Sequence, residues 1–320
     1  MSVRISSVLP WVFAGILTSL FALTGYFLPG MQIIFSLFWA VPIVYLIRRY
    51  GLYQGCLAIL LAGIIAAIVS DPENGLLAML EIGSLALVMG LLYKNGVPAR
   101  QAMWICVFIA VLLQLIILGA TYGQYTTQAA EVQQDMEKQL DEIIASYKQA
   151  GLIVTSPEGL SEESLRKGIR KSAILAWQLV PGTAVILATL SALFNYRFAY
   201  RYMLTRQMSL PEDISFGSWR FPWYVIWGMI IGLGLLLIGE DNGVVKLLGM
   251  NIIMVSLFGS LILGLAVLSY YLSRVALPWF LKIIIIFFLI FNGIISIMIL
   301  TIIGLFDPVV NFRRLEAKTQ

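Results

Sequence analysis

The sequence predicts an all-α protein, a polytopic transmembrane bundle of about eight to ten membrane helices with an extracytoplasmic helical insert. Three observations carry this. Of 320 residues, 60% are hydrophobic and 12% are charged, where soluble domains carry about 25% charged residues. The apolar residues fall in runs close to the length of about 20 that a helix needs to cross a bilayer. The short loops between the runs alternate in charge.

The runs are 9–28, 31–47, 52–70, 75–93, 101–123, 173–196, 220–239, 246–273 and 278–306. The first is too long for the apolar core of a signal peptide and leads straight into a second, so no cleavable signal is expected. Arg48 and Arg49 follow the second run. Lys94 and Arg100 follow the fourth, Arg197, Arg201 and Arg206 the sixth, and Arg274 the eighth. The other short loops are acidic, with Asp71 and Glu73, then Glu240 and Asp241. Basic loops stay in the cytoplasm, so the pattern predicts a cytoplasmic N-terminus in a bacterial inner membrane. The last run conflicts with it. A single crossing would place Arg313, Arg314 and Lys318 outside. A turn at Asn292-Gly293, both turn-forming residues, would return the tail to the cytoplasm. Both paths remain open at this point.

Residues 124–171 form the one long hydrophilic segment. They separate N-terminal membrane helices in 1–123 from C-terminal ones in 172–320, and parity places them outside. Val132, Met136, Leu140, Ile143 and Tyr147 recur at helical spacing, which predicts an amphipathic helix over 126–150 ending near Gly151. Ser161 with Glu162 and Glu163 reads as a second helix start, with a helix running unbroken into the sixth span. Arg166, Lys167, Arg170 and Lys171 would then form a basic collar, for lipid headgroups or for anionic ligands.

Small residues recur at i, i+4 spacing: Ala14, Thr18 and Ala22; Ala58, Ala62, Ala66 and Ser70; Gly228 and Gly232; Ser256, Ser260 and Gly264. Such ladders let membrane helices approach closely, within a chain or against a separate subunit. Ala14, Thr18 and Ala22 are the candidate docking stripe.

Polar residues inside the spans are the candidate ligand-binding residues: Glu81, Gln114, Gln178 and Asn251. Glu81 lies six residues inside the outer end of its span, about 9 Å deep at 1.5 Å per residue. A carboxylate at the centre of a bilayer costs about 2.5–3.5 kcal/mol on insertion scales, so something must offset it. Either it faces an outward-opening polar cavity or it belongs to a hydrogen-bonded knot between helices. Pro181-Gly182, beside Gln178, is a helix breaker within a span, a feature tolerated where it lines a cavity or is buried in protein.

Several functions are excluded or disfavoured. The chain has no His, so His-based triads and His-ligated metals are out. Cys56 and Cys106 form no CxxC pair and read as packing residues. No metal site and no cofactor is expected. No basic patch interleaved with aromatics suggests nucleic acid. No Walker A motif is present, so ATP-driven work would need a partner. Glu81 has no second acid within the membrane, so an enzyme is not expected.

The ending "GLFDPVVNFRR", with Gly304, Asp307, Phe312 and Arg313, resembles the Gly-x-x-Asp then Phe-Arg ending of the YybS-like bacterial multi-pass membrane proteins. The resemblance covers essentially the whole chain. That family is distantly similar to the substrate-binding S components of energy-coupling-factor vitamin transporters, which have six helices and bind ligand from outside. The ladder Ala14, Thr18, Ala22 is similar to the first helix by which S components dock their coupling partner. The chain departs from them by its extra spans and larger insert. The resemblance implies a small-solute binding subunit, with a small molecule entering from outside and a membrane coupling partner. The alternative is a non-transporting scaffold for cell-envelope assembly.

Overall fold

The computed structural model describes residues 5–28, 30–149, 162–239 and 242–315. The helices are α1 (Ile5–Ala22), α2 (Thr24–Phe27), α3 (Met31–Ser36), α4 (Val41–Tyr50), α5 (Leu52–Val69), α6 (Pro72–Ala78), α7 (Ser84–Lys94), α8 (Ala99–Gln149), α9 (Glu162–Gln178), α10 (Val180–Thr205), α11 (Ile226–Ile238), α12 (Gly243–Arg274), α13 (Trp279–Phe291) and α14 (Gly293–Val310). A π-helical turn, Met79–Gly83, joins α6 to α7. No strand occurs among the described residues. Seven segments among them are long and apolar enough to cross a membrane, or eight if the bent pair α9–α10 counts as one. The fold is thus the all-α polytopic bundle expected. Its outward faces carry large apolar side chains such as Phe13, Ile68, Leu237 and Phe287, which meet lipid in a bilayer.

The chain divides into two compact units: residues 1–115, 185–226 and 257–320 in the first, 116–184 and 227–256 in the second. In the first, Ile43, Val44, Leu46 and Ile47 of α4 are buried with Leu85, Ala86 and Met89 of α7. Gly90 permits this approach, since a methyl group there would strike the Ile47 side chain. Helix α1 lies on α5 through small residues. Ala14 and Ala58 are buried, and a methyl on Gly15 would press on the Ala58 carbonyl.

Asn195 of α10 is fully buried where α3 gives way to α4. Its Oδ1 accepts from the Ala40 N–H at 2.9 Å, and its Nδ2 donates to the carbonyls of Ser36 at 2.7 Å and Ser191 at 2.8 Å. Ser191 Oγ also donates to the Ser36 carbonyl. The backbone groups freed by the interruption are thereby bonded, as hydrocarbon surroundings require.

The C-terminal run breaks at Asn292-Gly293, where Gly293 has φ +40°. Left-handed backbone favours glycine. Gly304 abuts the backbone of Ser260 and Gly264, and Gly264 abuts that of Leu300, with no room for a methyl on either glycine. Nearer the helix ends, Tyr270 and Tyr271 donate their hydroxyls to the carbonyls of Arg313 (2.8 Å) and Phe312 (2.7 Å). Those contacts put the last turn of α12 beside the end of α14, so the two helices run the same way. Helix α13, which joins them in the chain, runs in the opposite direction. At 13 residues it is about 20 Å long, short of a hydrocarbon core of about 30 Å. The turn is therefore present, and the single crossing helix is not.

The signature residues of the ending hold this closure. Asp307 and Arg313 are both buried, with Arg313 Nη2 donating to Asp307 Oδ2 at 2.6 Å. Arg313 Nη1 donates to the Gly217 carbonyl at 2.6 Å. Asn311 turns left-handed (φ 53°) so that the chain can double back.

In the second unit, Gly228 and Gly232 of α11 pack on Ser256, Ile253 and the Gly249 carbonyl of α12. Two expectations are corrected here. The fifth span ends close to 123 as expected, at Thr121, but its helix does not stop there: α8 runs on as one helix of 51 residues. The polar stretch after it contains no proline, so nothing stops the helix at the membrane edge. The apolar stripe falls on Leu140 and Ile144, both buried, while Ile143 is exposed. The helix through the basic collar is not unbroken into the sixth span. It bends by 55° between α9 and α10, next to Pro181, which lacks the N–H for the ladder. Arg166 pairs with Asp141 and with Glu137, Arg170 with Glu137, and Lys167 with Glu163. These collar cations thus face acids of the insert itself. Gly151 and Ser161 lie outside the described residues, as do the side chains of Val132, Met136 and Tyr147.

Candidate functional site

Glu81 sits in the π-helical turn between α6 and α7. Such a turn carries one extra residue, so the faces before and after it are offset, and π turns recur at functional sites. The segment starts cleanly. Asp71 caps α6 by accepting from the Asn74 N–H (2.8 Å) and from its side-chain amide (2.6 Å), with Pro72 next in line. Gly75 lets α6 press on the Gly63 carbonyl and Ala67 of α5, and Gly83 lies against Ile59. Close packing on both sides of the turn holds Glu81 where it is.

The half-buried Glu81 lines a cavity of about 340 Å³. The other walls come from the end of α1 and α2 (Ala22, Leu23, Gly25, Tyr26), from Gln32 and Trp39, from Ala66 and Ser70 at the end of α5, and from Asn74 to Ile82. No basic residue is among them. Among the described residues, no cation or hydrogen-bond donor engages the Glu81 carboxylate. Trp39 is 8% exposed, and its buried Nε1 has no hydrogen-bond partner. The cavity therefore holds an unmet acceptor, where buried polar groups are ordinarily bonded. Its size is at the lower end of small-molecule sites, which run about 300–1,000 Å³. A larger hollow of about 670 Å³ between α12, α13 and α14 is lined mostly by Leu and Ile, and it suits hydrocarbon only.

The candidate amides have other work. Asn251 Oδ1 accepts from the Gly182 N–H at 2.6 Å, while its Nδ2 donates to the carbonyls of Gln178 (2.9 Å) and Leu247 (2.8 Å). The side chain thus bridges Gly182 N–H and Gln178 C=O, the two groups an unbroken helix would join directly. Both hydrogens of Nδ2 are engaged, so Asn251 is the polar knot rather than a ligand group. Gln178 contributes its carbonyl, and its side chain is exposed. Gln114 is half-buried on α8. None of the three amides lines the Glu81 cavity. The docking stripe also has an occupant: Ala14 and Thr18 are buried within this chain, and Ala22 lines the cavity. No group of three or more acids or cysteines among the described residues could hold a metal.

Trp39, Gln32, Ser70, Asn74 and Tyr26 were not legible as site residues. Gln32 alone carried a signal, as an amide just inside the outer end of the second span. Asn195 was missed because it adjoins Tyr196 and Arg197 and reads as an interfacial residue.

The sequence matches the model of a family described as "Predicted membrane protein (DUF2232)" over residues 15–308. No curated protein and no solved structure matches the chain.

Proposed function

Because the chain belongs to the family described as "Predicted membrane protein (DUF2232)", whose description specifies the membrane and no activity, we propose a role within that setting: a non-enzymatic subunit that binds a small solute from outside. The observation that carries this is the cavity at Glu81, where the carboxylate lacks a partner. A polar group kept inside a membrane without a structural partner points to function. The finer kinship, to YybS-like proteins and at a distance to S components, belongs to the same proposal. So does a bacterial inner-membrane location with a cytoplasmic N-terminus. The charged loops support that orientation, and it places the Glu81 cavity in the outer half of the bilayer.

Native mass spectrometry of protein extracted from its own membrane tests the function. Wild-type protein is expected to retain a small molecule. Glu81→Gln is expected to weaken its retention by about tenfold to a hundredfold, the worth of a hydrogen bond to a charged group. Equal retention by both proteins would remove Glu81 from the site. Orientation is tested separately, in a protein whose Cys56 and Cys106 are replaced by Ala. Cysteine at the exposed position Glu142 should react with an impermeant thiol reagent from outside, and cysteine at Thr205 only from inside. Reaction of both from one side would reject the topology.

The scaffold reading draws on the long helix α8 as a docking arm. A stable complex with another protein and a cavity that retains nothing would favour it.

A further inference from the structure

We propose that the solute of the Glu81 cavity carries a protonated amine with free N–H groups. This rests on reading the cavity as a solute site and goes on to assign its chemistry. The Glu81 carboxylate accepts only. Ser70 donates its hydroxyl hydrogen to the Ala66 carbonyl at 2.7 Å, which leaves its oxygen as an acceptor. Asn74 gives a side-chain N–H to Asp71, and its carbonyl oxygen has no such commitment. Glu81 is the one acid of the lining, and no Lys or Arg is present to balance it, so a cationic group brought in by the solute would be the partner that favours its charged form. Tyr26 and Trp39, aromatic residues of the kind that attract cations, are among the lining residues.

The lining does not fit a bare metal ion. Calcium takes six to eight oxygen ligands, whereas no group of three or more acids or cysteines among the described residues could hold a metal. A cavity of about 340 Å³ also far exceeds a single ion. A quaternary ammonium ion has no N–H and would leave the acceptors unmatched, so primary and secondary amines are favoured over it.

The test uses the full chain in detergent micelles with defined probes: ethanolamine, agmatine and spermidine as N–H ammonium compounds, choline as the quaternary control, and lactate and inositol as anionic and neutral controls. At least one of the first three is expected to bind saturably. Ethanolamine should bind at least tenfold more tightly than choline. Glu81→Gln should weaken the bound probe by about tenfold to a hundredfold. Saturable binding of lactate or inositol that Glu81→Gln leaves unchanged would overturn the amine and leave the cavity as a solute site. If no probe binds, the molecule retained by the native protein decides. An amine supports the proposal, a molecule without one overturns it, and no retained molecule overturns the solute site as well.

Discussion

Asn251 and Glu81 both sit beside irregular turns of membrane helices, and the protein treats the two places in opposite ways. At the break between α9 and α10, Asn251 supplies one acceptor and two donors, and each finds a backbone partner. Asn195 does the same between α3 and α4, and Asp307 with Arg313 closes the C-terminal ending. Around Glu81 the helix is irregular too, yet no side chain of the described residues fills the space beside it. A polar residue in a membrane span is thus not itself a sign of a site. The sign is a polar residue whose partners are missing.

The comparison breaks most readily at the C-terminal pair. Asp307→Ala would leave a buried guanidinium without its carboxylate, and destabilisation of about 3–5 kcal/mol is expected. Thermal melting of the purified protein measures it, and Asp307→Leu combined with Arg313→Met should recover most of the loss. An unchanged melting temperature in Asp307→Ala would show that the closed sites do not support the fold.

The amide plugs come next. Asn195→Leu and Asn251→Leu each leave backbone groups unbonded, at an expected cost of about 1–3 kcal/mol. Asn195→Leu should be the more damaging, because Asn195 is fully buried in the larger core. If Asn251→Leu melts like the wild type, the break at Pro181 does not depend on its plug.

The smallest stability effect belongs to the open site. Glu81→Gln is expected to shift stability by no more than about 0.5 kcal/mol, as for a side chain that supports no packing or network. A large drop in melting temperature would move Glu81 into the same class as Asn251 and sharpen the contrast away.

The first five spans and the eighth were legible, limits included, because apolar length and loop charge are local properties. Asn292-Gly293 was legible as a candidate turn for the same reason, and Tyr270 and Tyr271 decide it by contacts over 40 positions away. The site was legible only at Glu81, whose cost in hydrocarbon marks it alone. Depth grouped Glu81 with Gln114, Gln178 and Asn251, but depth says nothing of direction around a helix. The π-helical turn at 79–83 redirects Glu81, and no periodicity in "MLEIG" announces it. Trp39 was illegible for a different reason. A Trp in an apolar run is ordinary, and only the absence of a partner for its N–H distinguishes it.

The unbroken course of α8 has a mechanical consequence. Of its 51 residues, those past residue 121 extend about 42 Å at 1.5 Å per residue. A helix without a joint transmits rotation along its length. A tilt of roughly ten degrees at the membrane edge carries the far end sideways by about 7 Å, by simple leverage on that length. Conversely, a push on the tip is delivered to the turns of α8 near residue 121. Arg166 and Arg170 of α9, ion-paired to Asp141 and Glu137 of α8, brace the lever against bending along that stretch.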